Sequence, residues 1–248
     1  MYLLGDIGNS ETKLCFVSEK NKIIKKIIFS TKEINQKKLK NNFKNFKIDF
    51  MKIEKILFCS VVPKSFNLIK KYLIKKTKVK CNEVKNLNLK SLIKIKVNYK
   101  QVGSDRITNA ISLINNKNNF IILDFGTATT FDVLIKDTYS GGIIAPGIRL
   151  SLDTLSDKAT LIPKINLKMI KNVIGNDTVS AVRSGFFWGY AGLIDNIIKL
   201  IKKETRKSFK VIITGGFSNL FKKSINTKVY HNKDITINGL IKISKLIK

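Results

Sequence analysis

The chain has 248 residues, 44% of them hydrophobic, and a formal net charge of +30. That length holds one large domain or two small ones with ample material for buried cores. Its apolar runs reach only about 9 residues before a Lys, Asn or Gly intervenes, which excludes a helix of the roughly 20 apolar residues that a bilayer requires.

In chain order, apolar runs at 2–4 and 14–17 flank a polar turn and predict a hairpin, and 23–29 supplies a third strand. A Lys- and Asn-rich surface helix is expected over 33–46. A buried strand over 53–62 stops at Pro63, which suits the first turn of a helix over 64–76. After a Lys-rich stretch to residue 98, Ser104 or Asp105 is placed to cap a helix running to 116, with Ile107, Ala110, Ile111 and Ile114 on one face. The second half repeats the scheme. Strands are expected at 119–126, 129–135 and 140–145, then a helix at 148–158 and a loop around Pro163. Asp177-Thr178 opens a long helix to 203, a strand covers 209–214, and terminal helices surround a short strand near Val229-Tyr230. The predicted division is one lobe over 1–117 and a second over 118–248.

The N-terminus enters a strand pattern at once, without a basic leader or a small-residue cleavage site, so a soluble cytoplasmic protein is expected. Cys15, Cys59 and Cys81 have no metal-type spacing and read as buried free thiols. The only histidine is His231. That argues against a histidine-clustered zinc site or a Ser-His-Asp apparatus and leaves carboxylates for acid–base work. Of the 47 basic residues only Arg106, Arg149, Arg183 and Arg206 are arginine. The lysines are spread evenly along the chain. They predict weak, non-specific attraction to polyanions, with no specific nucleic-acid partner.

One short pattern occurs twice. Asp6-Ile7-Gly8-Asn9-Ser10-Glu11-Thr12 and Asp124-Phe125-Gly126-Thr127-Ala128-Thr129-Thr130 both read D-x-G-x-x-x-T, 118 positions apart. A carboxylate at a strand end, a Gly that lets the backbone curl, and hydroxyls beyond it suit a phosphate or its metal ion, though a plain strand-end turn has the same look. In the first copy, backbone N–H groups from Gly8 to Thr12 can face phosphate oxygens. Lys13 adds positive charge, and Asp6 can hold magnesium directly or through water. In the second, Asp124 can ligate a cation and Thr127 can contact phosphate. Gly103-Ser104-Asp105-Arg106 reads either as a helix start or as an acceptor site, with Asp105 the general base and Arg106 binding an anionic group. Gly141 to Arg149 and Thr214-Gly215-Gly216 offer close backbone approach, or simply turns.

Two β-β-β-α-β-α lobes resemble the actin-like ATPase and sugar-kinase superfamily. The expected class is therefore α/β, a duplicated actin-like (ribonuclease H-like) ATPase fold whose two lobes carry mixed five-stranded sheets flanked by helices. The motifs above, taken in order with Asp177-Thr178 and Ser184-Gly185, closely resemble type III pantothenate kinase over nearly the whole chain. The resemblance implies a homodimeric cytoplasmic enzyme that phosphorylates pantothenate with ATP, the first step of coenzyme A synthesis. It also implies a need for magnesium and for a monovalent cation, potassium or ammonium. Carried onto this sequence, Asp6, Ile7, Gly8, Asn9, Ser10, Glu11, Thr12, Lys13 and Thr127 would bind ATP. Gly103, Ser104, Asp105, Arg106, Tyr99 and Thr178 would bind pantothenate, with Asp105 taking the hydroxyl proton. Asp124 would hold the monovalent cation and Asp6 the magnesium. Two departures stand out: Tyr99 lies only four residues before Gly103, with no Pro between them, and Ser104 replaces an Ala. Two other classes remain open, a non-catalytic regulatory or nucleic-acid-binding relative on the same fold, and a kinase acting on a sugar or small polyol.

Overall fold

Alternation and apolar runs become strands wherever both faces of the segment find cover, and that rule produces the same sheet twice. The structure is a computed structural model and describes residues 1–45 and 49–247. By its internal contacts the chain divides into two units, Met1–Ile114 together with Asp234–Lys248, and Asn115–Lys233.

The first unit holds strands β1 (Tyr2–Ile7), β2 (Glu11–Val17), β3 (Ile23–Ser30), β4 (Lys55–Ser60) and β5 (Cys81–Glu83), and a two-residue strand β6 (Lys94–Ile95). Its helices are α1 (Gln36–Asn45), α2 (Pro63–Thr77), α3 (Ser104–Leu113) and α7 (Ile235–Ser244). The sheet order is β3-β2-β1-β4-β5. The first three strands form an antiparallel meander, and β4 and β5 continue parallel to β1. Leu3, Ile7, Leu14, Phe16, Ile56, Phe58, Ile69 and Leu73 fill the core between sheet and helices. Pro63 takes the first turn of α2, where its missing N–H costs nothing. The expected helix over 33–46 begins with a short 3-10 turn, Thr31–Glu33, and continues as α1; its last residue, Phe46, lies outside the described residues.

The second unit holds β7 (Asn119–Phe125), β8 (Ala128–Ile135), β9 (Thr138–Pro146), β10 (Lys210–Gly215) and β11 (Val229–His231), with α4 (Ile148–Lys158), α5 (Thr178–Thr205) and α6 (Ser218–Phe221). Its strands run in the order β11-β10-β7-β8-β9. Again a meander comes first, followed by two strands parallel to the first. Ile121, Leu123, Phe131, Phe187, Ile194, Ile198 and Phe221 are the centre of its core. Asp177 caps α5 by accepting from the Ser180 N–H at 2.8 Å, while the Ser180 hydroxyl answers to the Asp177 N–H at 3.1 Å. That reciprocal box holds the start of a helix whose middle carries three glycines.

Two features differ from the sequence-based expectation. The last helix, read as part of a lobe over 118–248, belongs to the first unit. There α7 buries Ile235, Ile237, Leu240 and Ile243. A Cβ on Gly239 would stand 2.0 Å from the Thr108 carbonyl oxygen of α3, so only glycine allows the two helices to approach so closely. Thr236 donates to Asn109 Oδ1 at 2.8 Å, and Lys26 pairs with Asp234 at the head of α7. The second difference is one of register. Thr12 pairs with Ile7, whereas Phe125 pairs with Thr129. The first turn spans Gly8 to Ser10 and the second only Gly126 and Thr127. Thr129 is therefore the counterpart of Thr12, and both are buried; the matching Thr130 of the sequence pattern falls one place further along.

Candidate active site

In the first unit the functional groups gather at the ends of β1, β4 and β5 and at the start of α3. Asp6 lies across from Lys13 on β2 and beside Cys59 on β4. The Cys59 thiol donates to Asp6 Oδ1 at 3.5 Å. The turn after Asp6 is closed by Gly8 N–H donating to the Glu11 carbonyl at 3.0 Å and braced by Thr31 N–H donating to the Ser10 carbonyl at 2.9 Å. Behind it the hydroxyls of Thr12 and Thr31 meet at 2.9 Å in the core. Asn9, Ser10 and Glu11 face solvent. This is a rigid loop whose outer side is open to an anion. The side chain of Thr12 is buried under the loop and supports it.

Gly103, Ser104, Asp105 and Arg106 form the entry to α3. Neither Ser104 nor Asp105 is the cap; Gly103 holds that position. The Ser104 hydroxyl accepts from Ser60 N–H at 2.9 Å and donates to the Ser60 carbonyl at 3.1 Å. It is buried and fastens α3 to the end of β4. Asp105 Oδ1 accepts from Arg106 N–H at 2.9 Å. A Cβ on Gly103 would stand 2.3 Å from that oxygen, so the glycine is what lets the carboxylate fold back over the helix start. Tyr99 opens a 3-10 turn, Tyr99–Gln101, just before α3.

Burial governs the electrostatics. It raises Asp6 to about 6, against the pull of Lys13, with the charge of Asp105 raising it further. Asp105 is also raised by burial, opposed by the Arg106 N–H, the Arg106 guanidinium and Lys85. Cys59 is pushed well above the ordinary thiol range by burial and by the charges of Asp6 and Asp105. It stays protonated and serves as a donor. Two carboxylates within mutual electrostatic reach, both kept from full solvation, suit a site that gains a cation or gives up a proton.

In the second unit, Asp124 sits near the end of β7, paired with Thr130 and Thr214. Gly215 follows on β10 with φ +86°, and a Cβ there would stand 2.6 Å from Asp124 Oδ1. Gly216 N–H donates to the Phe125 carbonyl at 3.0 Å, and Gly126 N–H to the Ala128 carbonyl at 3.1 Å. The Ser218 hydroxyl donates to the Gly215 carbonyl at 2.7 Å and meets His231 Nε2 at 3.0 Å. Thr127 is exposed at the tip of the hairpin, and Thr178 is exposed as the first residue of α5. The expected site residues thus fall into two groups: Asp6 to Lys13, Tyr99 and Gly103 to Arg106 in the first unit, and Asp124, Thr127 and Thr178 in the second.

Among the described residues no three His, Cys, Asp or Glu side chains gather to hold a metal. Asp6 is a hard oxygen donor of the kind magnesium takes. Asp124 is a hard oxygen donor of the kind a monovalent cation takes. Sequence reasoning missed Cys59 and Lys85. Cys59 meets Asp6 only through the parallel register of β1 and β4, and Lys85 was hidden among so many other lysines.

A repeated mixed sheet of order 3-2-1-4-5, with an aspartate near the end of the first strand of each copy, is the fold of the actin-like ATPases and sugar kinases. The crystal structure of a Sinorhizobium meliloti protein assigned as a 2-dehydro-3-deoxygalactonokinase has the same fold, with a TM-score of 0.61, 9% identity, and coverage of 100% of this chain and 99% of that one. The family profile of type III pantothenate kinase matches residues 2–200. The type III pantothenate kinase of Pelagibacter ubique is 66% identical over 248 residues, covering 100% of both chains. That of Hyphomonas neptunium is 38% identical over 205 residues, 80% of this chain and 79% of its own. The chain belongs to the type III pantothenate kinase family.

Proposed function

We propose that the chain transfers the γ-phosphoryl group of ATP to the primary hydroxyl of pantothenate, giving 4′-phosphopantothenate, the first step of coenzyme A synthesis. The observation that carries the acceptor side is the fold-back of Asp105 over Gly103. With Oδ1 held by the Arg106 N–H, the carboxylate is fixed and Oδ2 takes the hydroxyl proton as the oxygen attacks the γ-phosphorus. The bond from that phosphorus to the bridging oxygen breaks and ADP leaves. Arg106 supplies a planar fork for the pantothenate carboxylate, and Tyr99 adds a further acceptor contact. The braced loop from Gly8 to Lys13 holds the ATP phosphates. Asp6 would hold magnesium, which when bound would supply positive charge for the phosphates. Asp124 would hold potassium or ammonium.

Among the described residues no helix is long and apolar enough to cross a membrane, and the reading places the enzyme in the cytoplasm. It acts as a homodimer. Support for that comes from the second unit, where Leu161, Met169, Val173, Ile174 and Trp188 are exposed and a Cβ on Gly185, Gly189 or Gly192 of α5 would meet open space. Apolar surface beside a smooth helix face fits a second copy of the chain.

The deciding experiment is pantothenate-dependent ADP formation with ATP, magnesium and potassium, beside a sodium-only control. Potassium-stimulated turnover on the order of 1 s⁻¹ is expected. A folded protein that binds ATP but ignores pantothenate would move the reading to another acceptor, such as a sugar or small polyol.

A further inference from the structure

Lys85, just after β5, is bound more tightly than a surface lysine has reason to be. Its ammonium donates to the Tyr99 carbonyl at 2.5 Å and reaches the Lys100 carbonyl at 3.4 Å. The same ammonium lies 4.5 Å from the centroid of the Tyr99 ring. Its backbone N–H donates to Glu83 Oε2 at 2.7 Å, which ties the root of the side chain to a buried carboxylate at the end of β5. The Tyr99 hydroxyl returns to the Val84 carbonyl at 3.5 Å. Tyr99 is thus held at its carbonyl, its ring face and its hydroxyl by the single segment Glu83–Lys85.

This fastening sits where the chain has little else to fix the turn. Only Lys100, Gln101 and Val102 separate Tyr99 from Gly103 and none is proline, so no ring restricts the backbone ahead of the helix. The turn's own bonds are Lys100 N–H to Asn98 Oδ1 at 3.1 Å, Gln101 N–H to the Asn98 carbonyl at 3.0 Å, and a long Val102 N–H to the Tyr99 carbonyl at 3.4 Å. A cation held against a carbonyl and an aromatic face supplies what those bonds lack. Asp105 lies four residues past Gln101, the last residue of the turn, and feels the charge of Lys85.

We propose that Lys85 is a positioning residue for the acceptor site, clamping the Tyr99–Gln101 turn so that Tyr99 and the Gly103–Arg106 helix entry are presented together. It touches neither ATP nor the transferred phosphoryl group. The proposal rests on the reading of Tyr99 and Asp105 as acceptor-site residues.

The test compares the full-length protein with Lys85→Met, which keeps the stem and loses the charge, and with Lys85→Arg, which restores cation and donors. In Lys85→Met the KM for pantothenate should rise about tenfold, the scale of a lost charged hydrogen bond. The KM for ATP should stay within about twofold, and Lys85→Arg should recover most of the pantothenate affinity. An unchanged pantothenate KM in Lys85→Met overturns the proposal. So does an equal rise in both KM values with a collapsed melting temperature, since that marks a merely structural lysine. If the wild-type protein proves inert towards pantothenate, the functional reading fails by itself. Amide exchange over residues 98–102 then decides the clamp: faster exchange in Lys85→Met upholds it and unchanged exchange removes it.

Discussion

The Cys59 thiol donates a hydrogen bond to Asp6 Oδ1 across 3.5 Å, and this contact works against the effect of burial on the carboxyl. A thiol is a weak donor, so the carboxylate remains held at about 6 by burial, despite Lys13 opposite.

That shift has a sign. The folded state binds the Asp6 proton more tightly than the unfolded chain does, so this group's contribution favours folding below pH ~4 and is lost as pH rises through about 6. Asp6→Asn should therefore make the nucleotide-free protein more stable at pH 8, by on the order of 1–3 kcal/mol, and flatten the pH dependence between about 4 and 6. Turnover should be lost in the same variant. Urea melts of both proteins at pH 5 and pH 8 check this, and a variant less stable than wild type at pH 8 contradicts it.

Asp105→Asn keeps the shape of the helix entry and removes the base. Turnover should fall by roughly 10²–10⁴-fold, while ATP affinity changes little because the phosphate loop is untouched. Steady-state rates together with nucleotide titration separate the two effects. Near-normal turnover would remove Asp105 from the chemistry.

Gly215 combines φ +86° with a missing Cβ that would crowd Asp124 Oδ1 and the Phe125 backbone. Gly215→Ala should lower stability by about 1–3 kcal/mol and raise the potassium concentration needed for half-maximal activity. Gly216→Ala is the control, since a Cβ there meets open space. Thermal melts and potassium titrations of the two variants should differ clearly.

The charge of +30 predicts binding to DNA that weakens steeply between about 50 and 200 mM salt and shows no preference among sequences. Anisotropy titrations with unrelated oligonucleotides measure both properties. A salt-resistant, sequence-selective complex would support a regulatory role instead.

Much of the candidate site was legible because its parts are local. Asp6 and Asp124 stand at strand ends that apolar runs announce, and the Asp177–Ser180 cap is written within four residues. What was not legible depends on partners far away in sequence. Ser104 carries no mark that its hydroxyl is spent on Ser60. Thr12 and Thr130 match in the pattern, yet turns of different length bring Thr129 to the place of Thr12.

The sequence by itself determined the duplicated order of strands, the two acidic hairpins and a helix that starts near Asp105, because strand period, caps and turns act within a few residues. Only the tertiary structure decided that α7 completes the first unit, that Cys59 faces Asp6, and that Lys85 holds Tyr99. Each of these follows from strand register or from the distance at which two backbones pack. A missing Cβ at Gly239 or the parallel pairing of β1 with β4 sets those quantities, and neither acts until the chain has closed on itself.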